Sequence, residues 1–254
     1  MLRATHNQIV RSLQILNHIL SLYGIYYVLT HHNQFTWLVV SLISFWITGV
    51  FGINIGLHRL LSHRSFKTHI YIEYLLTIIS VITVVGSPLA WIAIHRQHHR
   101  TCETNQDPHS PYILGNFRAW FGLWNYVKLD IKLIKDLRKV KFHKWIHKYY
   151  LGIILIYMLS LFLLNPLFVI FIYALPACLC LHSTSAIIVI AHRHGYKTYS
   201  LGHDESRNSW IASIITLGEG WHNNHHAHPN NWKQGEFWWE FDPTAWVIKL
   251  LKYE

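Results

Sequence analysis

The chain has 254 residues, of which 52% are apolar, 15% are aromatic and only 13% carry a charged side chain. Soluble domains average about 25% charged residues, so this composition excludes an ordinary soluble domain and indicates a single integral membrane unit, residues 1–254. The net charge of +10 does not indicate nucleic-acid binding, because the basic residues flank apolar stretches and suit contact with anionic lipid.

The predicted helices follow five apolar stretches, near residues 13–30, 35–55, 70–94, 149–164 and 167–190. A helix needs about 20 residues to cross the hydrocarbon core, with about 17 as the lower limit. The first stretch is short and contains Asn17 and His18, but residues 31–34 form a turn that pairs it with the second stretch. Asn165-Pro166 separates the fourth and fifth in the same way, because proline ends a helix. We therefore predict an all-α integral membrane protein with four transmembrane helices in two hairpins.

The third stretch, residues 70–94, decides the topology because one histidine cluster precedes it and another follows it. If this stretch crossed the bilayer, the two clusters would lie on opposite faces and share no metal. Gly86-Ser87-Pro88 interrupts the stretch, and Glu73 would be costly at bilayer depth. We therefore expect two shorter helices that lie in the interface or are re-entrant.

Basic residues crowd the segment before the fourth stretch, where eight Lys or Arg side chains occur: Lys128, Lys132, Lys135, Arg138, Lys139, Lys141, Lys144 and Lys148. The turns at residues 31–34 and 165–166 have none. Since cytoplasmic loops carry the excess of Lys and Arg, the basic segment marks the cytoplasmic side. We therefore expect the histidine clusters and both termini on the cytoplasmic face.

Three histidine clusters lie at the ends of the apolar stretches or beside them: His58 and His63; His95, His98 and His99; His222, His225 and His226. In an HxxHH pattern on a helix, positions i, i+3 and i+4 share a face, so each triple can converge on a small volume. The first pair, five residues apart, is about 140° apart around an ideal helix and suits a helix end or two neighbouring metals. Neutral imidazole binds Fe, Zn, Cu or Ni, so the ligand type leaves the metal open.

A single HxxHH pattern is weak, because histidines at a membrane interface are more often surface or capping groups. Three clusters at matched depth favour a metal site instead. The boxes contain no carboxylate, whereas soluble di-iron bundles combine Glu with Glu-x-x-His pairs. Glu219, three residues before His222, is either an outer hydrogen-bond acceptor or a ligand.

The boxes HRLLSHRSF, HRQHH followed by DPHSP, and GEGWHNNHHAHP resemble those of the membrane fatty acid desaturases, specifically the stearoyl-CoA (Δ9) type. The likeness runs from about Gly56 to Trp239. It implies four transmembrane helices, interfacial helices and a cytosolic helical cap. It also implies a di-iron centre held by nine histidines, with the acyl chain in a bent tunnel beside the metals.

The resemblance identifies His192 as the ninth histidine, because two residues separate it from Gly195-Tyr196. His192 stands 27 residues after Asn165, about 40 Å of helix, which is enough to cross and emerge on the cluster side. The family carries an asparagine four residues before this histidine, where this chain has Ile188. The water contact of that asparagine must therefore be absent here or come from a neighbour such as His182 or Ser185.

The sequence allows two interpretations of Trp91. Trp91, a turn before the second box, either lines the tunnel or anchors the chain at the membrane boundary, as tryptophans more often do. Trp238, Trp239 and Trp246 are interpreted as anchors in the same way.

Hydrogen abstraction from an unactivated methylene requires a redox metal and O₂, since no side-chain acid or base can perform it. We expect an O₂-dependent desaturase that inserts a cis double bond, Δ9 by resemblance, into a saturated acyl chain carried on CoA or lipid. Two iron ions and an external electron donor such as ferredoxin or cytochrome b5 would be required. The alternatives are a related di-iron hydroxylase and a membrane metal transporter, which would hold its ligands at mid-membrane.

Overall fold

The computed structural model describes residues 2–123 and 129–253, with side chains from residue 8 onward. Lys128 of the basic segment lies outside the described residues. Over the described residues the fold is helical, and its only β pairing is three isolated bridges between residues 196 and 221. The prediction of an all-helical chain is thus confirmed for this part of the molecule.

The helices are α1 (Leu2–Thr30), α2 (Thr36–Ser62), α3 (Ile70–Val81), α4 (Pro88–Thr101), α5 (Pro111–Leu114), α6 (Asn116–Trp120), α7 (Lys135–Arg138), α8 (Lys141–Leu164), α9 (Pro166–Arg193), α10 (Trp210–Thr216), α11 (His222–Ala227) and α12 (Pro243–Leu251). A short 3₁₀ helix, Ile131–Ile134, precedes α7. Two stretches are π-helical, Thr48–Ser62 within α2 and Val169–Ala174 within α9.

Among the described residues, three helices are long and apolar enough to span a membrane: α2, α8 and α9. Each extends beyond its predicted stretch. The sequence-based boundaries 35–55, 149–164 and 167–190 end where the apolar residues end, whereas the helices continue through polar residues to Ser62, Lys141 and Arg193. The Ser62, Lys141 and Arg193 ends of these three helices therefore carry polar side chains, including His58 of the first histidine cluster.

The predicted first span, residues 13–30, is part of the longer helix α1, which is not among those three. Its polar residue Asn17 is buried against α9, where its Nδ2 lies 3.5 Å from the Tyr173 hydroxyl. The opposite face is apolar and exposed, for example at Ile19, Leu22 and Leu29. The four-span topology therefore stays a prediction.

The hairpin between α8 and α9 forms where Asn165-Pro166 predicts it. Leu164 ends α8 and Pro166 begins α9, and the Asn165 side chain accepts a hydrogen bond from the Leu167 backbone N–H at 2.9 Å. Asparagine at this position satisfies one of the unpaired N–H groups at the start of a helix, and proline at the first helical position loses no bond.

The third stretch is two helices, as predicted, although α4 continues past residue 94 to Thr101 and carries the second histidine box. The break includes Val84 and Gly86, both with positive φ, and Pro88 begins α4. At 12 and 14 residues, both helices fall below the length that spans a bilayer. Glu73 is compensated by hydrogen bonds from His143 Nε2 at 2.8 Å and from Arg64 Nη1 at 3.0 Å.

Helix α3 packs closely on the π-helical part of α2 through Gly56. A Cβ atom on this glycine would lie 3.1 Å from the Leu76 carbonyl oxygen, so a larger residue would push the two helices apart. This contact brings the end of α2, with the first histidine box, next to α3, and the chain continues from α3 into α4, which carries the second box.

Candidate metal centre

The first box lies on a π-helix, which explains its five-residue spacing. The His63 N–H donates to the His58 carbonyl at 3.2 Å, an i→i+5 bond, and His63 caps the helix. Residues five apart share a face in a π-helix but not in an α-helix. The two rings therefore lie 5.0 Å apart, on the same side. Of the two sequence-based alternatives, the structure shows a helix end, with both rings in one group.

The second and third boxes lie on α4 and α11, but neither HxxHH triple converges on one point. His95 and His99 face one centre while His98 faces a second. In the third box, His222 and His226 face the second centre while His225 faces the first. Positions i and i+4 overlap along a helix, whereas position i+3 is turned by about 100° from i+4. Each HxxHH motif thus reaches two centres, and the expectation of one small volume per motif was wrong.

All nine predicted histidines lie in two adjoining groups. The five-histidine group is His58, His63, His95, His99 and His225, and the four-histidine group is His98, His192, His222 and His226. Within each group, one ring nitrogen per histidine lies within 4.8 Å of all the others.

Inside the groups the Nε2 atoms approach each other directly. In the five-histidine group, His63 and His95 approach to 2.7 Å and His58 and His225 to 3.0 Å. In the four-histidine group, His192 and His222 approach to 3.1 Å. The Nε2 atoms therefore point at a shared centre, which is the arrangement that a metal ion requires.

Carboxylates hold the outer nitrogens of four of these rings. The Nδ1 contacts are His58 to Glu219 at 2.5 Å, His98 to Asp107 at 2.9 Å, His192 to Glu103 at 2.8 Å and His226 to Asp204 at 2.5 Å. A carboxylate on Nδ1 fixes the proton there and leaves the Nε2 lone pair facing inward. Glu219 is therefore an outer hydrogen-bond acceptor, the first of the two roles that the sequence left open.

Three of these four carboxylates, Glu219, Asp107 and Asp204, have pKa values below their usual range. Burial by itself raises the pKa of Glu219, but the charge of Arg59 and the hydrogen bond from His58 lower it to about 2. The pKa values of Asp107 and Asp204 also lie below the usual range, because their histidine partners outweigh the effect of burial.

The histidines are mostly neutral, which is the form that binds metal. Burial lowers the pKa of His99 and of His225 well below 6.5, and the neighbouring imidazoles lower it further. Burial also lowers the pKa of His226, to about 4, against the opposing effect of Asp204. His98 differs, because Asp107 outweighs burial and raises its pKa.

The charge balance fits two divalent ions. Four carboxylates, those of Glu103, Asp107, Asp204 and Glu219, contact one histidine each of the nine, while the charge of Arg59 is balanced by Asp242. Carboxylates that are largely withdrawn from water are costly without compensation, and two divalent cations would supply four positive charges beside these four groups. The carboxylates contact the outer ring nitrogens, which leaves imidazole nitrogens as the ligands. Such ligands suit Fe, Zn, Cu or Ni.

A cavity of about 60 Å³ adjoins both groups. Its walls include histidines of each group, such as His95 and His192, and apolar side chains, such as Ile94, Ile187 and Ile188. Trp91 is also in the wall, with its ring stacked on His95 at 5.0 Å, which fits the lining interpretation. Trp238 is 91% exposed, and its anchoring role stays a prediction.

Neither neighbour proposed to replace the asparagine at Ile188 reaches the histidine groups. The Ser185 hydroxyl donates to the Trp120 carbonyl at 2.6 Å. His182 Nδ1 accepts from the Trp120 indole N–H at 3.0 Å, and its Nε2 lies 3.1 Å from His18 Nε2. Both side chains are thus engaged on another face of α9, so the two named neighbours do not supply the contact.

Sequence reasoning missed most of the residues that support the groups. Asp107 stands in the quoted DPHSP motif, and its acidic side chain nine residues after His98 was the available signal. Glu103 and Asp204 lie in loops without a recognisable pattern. Asn223, between two ligand candidates, accepts hydrogen bonds from the backbone N–H groups of Thr198 and Tyr199, at 2.8 and 2.7 Å. The residues within the third box therefore anchor the loop that carries Asp204.

The model of the fatty acid desaturase family matches residues 35–248. The chain is 37% identical over 229 residues to an sn-2 palmitoyl-lipid 9-desaturase of Nostoc sp. (strain 36), covering 86% of this chain and 80% of that relative. It is 34% identical over 226 residues to an sn-1 stearoyl-lipid 9-desaturase of Anabaena variabilis, covering 87% and 83%. It is also 34% identical over 227 residues to an acyl-CoA 5-desaturase of Anemone leveillei, covering 85% and 68%. The chain belongs to the fatty acid desaturase family, and it is a membrane-associated oxidoreductase with a histidine-rich metal site.

Proposed function

We propose that this protein inserts a cis double bond at carbon 9 of a saturated acyl chain carried on a lipid or on CoA. The observation that carries the proposal is the apolar cavity whose wall contains histidines of both groups. The names of two relatives support position 9, and a third relative named for position 5 shows that the position varies within the family. The balanced reaction converts –CH₂–CH₂–, O₂, two electrons and two protons into –CH=CH– and two water molecules.

The proposed ligands are the nine histidines, five for one iron ion and four for the other: His58, His63, His95, His99 and His225, then His98, His192, His222 and His226. Iron, with O₂ and two external electrons, would supply the oxidising power that side chains lack. Zinc fits the same ligands but has no redox chemistry. The electrons would come from a separate carrier such as ferredoxin or a cytochrome b5.

The residues of the chain itself perform the binding and the positioning. Ile94, Ile187 and Ile188 give the cavity an apolar wall that excludes water and suits a methylene chain. Trp91 stacks on His95, and both rings form part of the cavity wall. The four carboxylates keep the imidazole Nε2 atoms directed at the two centres, so that the ligand geometry exists before the metal binds.

We also propose four membrane spans, with α1 as the fourth, and a cytoplasmic site. The buried Asn17 and the exposed apolar face of α1 support the span. The exposed basic residues before and within the start of α8, such as Lys135 and Lys144, support a cytoplasmic location for this side. Both termini would then lie in the cytoplasm.

Expression in a host that cannot make unsaturated fatty acids tests the proposal. Gas chromatography of total fatty acids should show a new monounsaturated product, and mass spectrometry of a derivative should place its double bond at carbon 9. His95→Ala should give no product, whereas His32→Ala, in the exposed turn before α2, should match the unmodified chain. A hydroxylated fatty acid as the main product would contradict a desaturase, and a double bond elsewhere would contradict position 9.

A further inference from the structure

Arg59 is a buried charge at the edge of the five-histidine group. It follows His58 directly and is only 1% exposed. Its Nε donates to Glu219 Oε1 at 2.9 Å, and its Nη1 and Nη2 donate to the two Asp242 oxygens at 2.9 and 3.0 Å. Its Nη1 also donates to the Trp232 carbonyl at 2.8 Å. A buried arginine is tolerated only when it is fully paired, so this guanidinium has a fixed position.

Glu219 links this guanidinium to a proposed metal ligand. While Oε1 accepts from Arg59, Oε2 lies 2.5 Å from His58 Nδ1 and accepts from Gln234 Nε2 at 2.8 Å. The Nε2 atom of His58 lies 3.0 Å from that of His225, inside the five-histidine group. Within residues 2–123 and 129–253, the hydrogen bonds of Arg59 and Glu219 do not reach a ring of the four-histidine group.

Asp242 is a second partner of Arg59, and this contact is independent of the contact with Glu219. Its Oδ1 accepts from the Ala245 N–H at 3.0 Å and thereby caps α12, and its Oδ2 accepts from the Gln234 N–H at 2.8 Å. The Arg59–Asp242 pair therefore stabilises the C-terminal segment, whereas the Arg59–Glu219 pair is connected by a hydrogen bond to His58.

We propose that Arg59 is a positioning residue for the metal ion of the five-histidine group: it holds Glu219, which sets the orientation and the tautomer of His58. This inference rests on the proposed function, since it takes the histidines as metal ligands. Lysine cannot replace Arg59, because a single ammonium group lacks the planar fork that engages both carboxylates. Substitution of Arg59 should change the affinity for only one of the two metal ions, because the hydrogen bonds from Arg59 through Glu219 end at the five-histidine group.

The test uses the full chain in detergent or nanodiscs, loaded anaerobically with Fe²⁺, and measures the two metal affinities by chelator competition and the metal content by mass spectrometry. Arg59→Lys should weaken one affinity about 10–100-fold and leave the other unchanged. Glu219→Gln should weaken the same affinity, and the double variant should be no weaker than Glu219→Gln alone, since both act through His58. Asp242→Asn is the matched control, which should lower the melting temperature and keep both affinities.

Several outcomes would overturn the inference: two unchanged affinities in Arg59→Lys, an equal loss of both, or the same selective loss in Asp242→Asn. If Arg59→Lys does not fold, the affinities of Glu219→Gln test the inference instead. This variant interrupts the same connection from Arg59 to His58 and leaves the Arg59–Asp242 pair intact. A wild-type chain that binds fewer than two ions would instead contradict the proposed function. The two failures are therefore distinguishable.

Discussion

Asp204 offers the sharpest test of the four-histidine group, because its hydrogen bond to that group is made to a single ring, His226. Its Oδ2 lies 2.5 Å from His226 Nδ1, and its side chain is 15% exposed, so water screens the interaction little. We predict that Asp204→Asn keeps the shape and the turn contact to the Ser206 N–H but loses the charge that holds the His226 tautomer.

The expected magnitude follows from the role of such a carboxylate. Loss of a hydrogen-bond partner on a metal-binding histidine weakens metal binding about 10–100-fold, which is about 1.4–2.7 kcal/mol. Asp204 supplies one of the four negative charges around the two groups, so the chain should still bind both ions at high metal concentration. The loss should appear in one affinity, that of the four-histidine group.

Anaerobic competition between the protein and a chelator for Fe²⁺ measures both affinities. Glu205→Gln is the matched control, since this neighbouring carboxylate pairs with Lys197 at 2.9 Å and with Arg207 at 3.2 Å instead of a histidine. The reasoning is refuted if Asp204→Asn leaves both affinities unchanged, or if Glu205→Gln weakens binding to the same extent.

Three further predictions concern acid stability, topology and the cavity wall. Because burial lowers the pKa of His226 to about 4 and that of His225 well below 6.5, the folded chain binds fewer protons than the unfolded chain. Stability of the metal-free protein should therefore be fully present above about pH 6.5 and be lost toward pH 4, and a melting temperature that stays constant over this range would contradict it. Accessibility tags at residue 110 and at either terminus should report the cytoplasm and tags at residues 32 and 165 the opposite side, and opposite locations for residues 60 and 110 would contradict a shared site. Ile188 is buried against Leu114 and lines the cavity, so Ile188→Asn should reduce the melting temperature and the turnover of saturated chains, whereas unchanged values would show that its apolar contacts do not matter.

Hydropathy was sufficient to locate α2, α8 and α9, because lipid exposure requires long apolar stretches. Hydropathy did not predict where these helices end, because polar residues continue the helices when other parts of the protein provide their hydrogen-bond partners. At the end of α2, Arg59 is paired with Glu219 and Asp242 from the distant C-terminal segment, and hydropathy contains no information about such pairs. That the whole chain forms one domain stays a prediction.

The nine histidines were identified from spacing and resemblance, but their division between two groups was not. An angle computed for an ideal α-helix separates His58 from His63, whereas the π-helical hydrogen bonds of α2 bring them together. The two carboxylates in loops, Glu103 and Asp204, contact histidines that are 89 and 22 residues away along the chain. Such contacts depend on the tertiary fold and leave no periodic signal in the sequence.

The most direct test of the central claim measures metal content and turnover on the same purified sample. The chain loaded anaerobically with Fe²⁺ should contain two iron ions and, with O₂ and an electron donor, should convert a saturated acyl substrate to the monounsaturated product. The chain loaded with zinc in both groups should bind two ions and form no product, because zinc cannot change its oxidation state. Desaturation by the all-zinc protein, or full turnover with one iron ion per chain, would contradict the account.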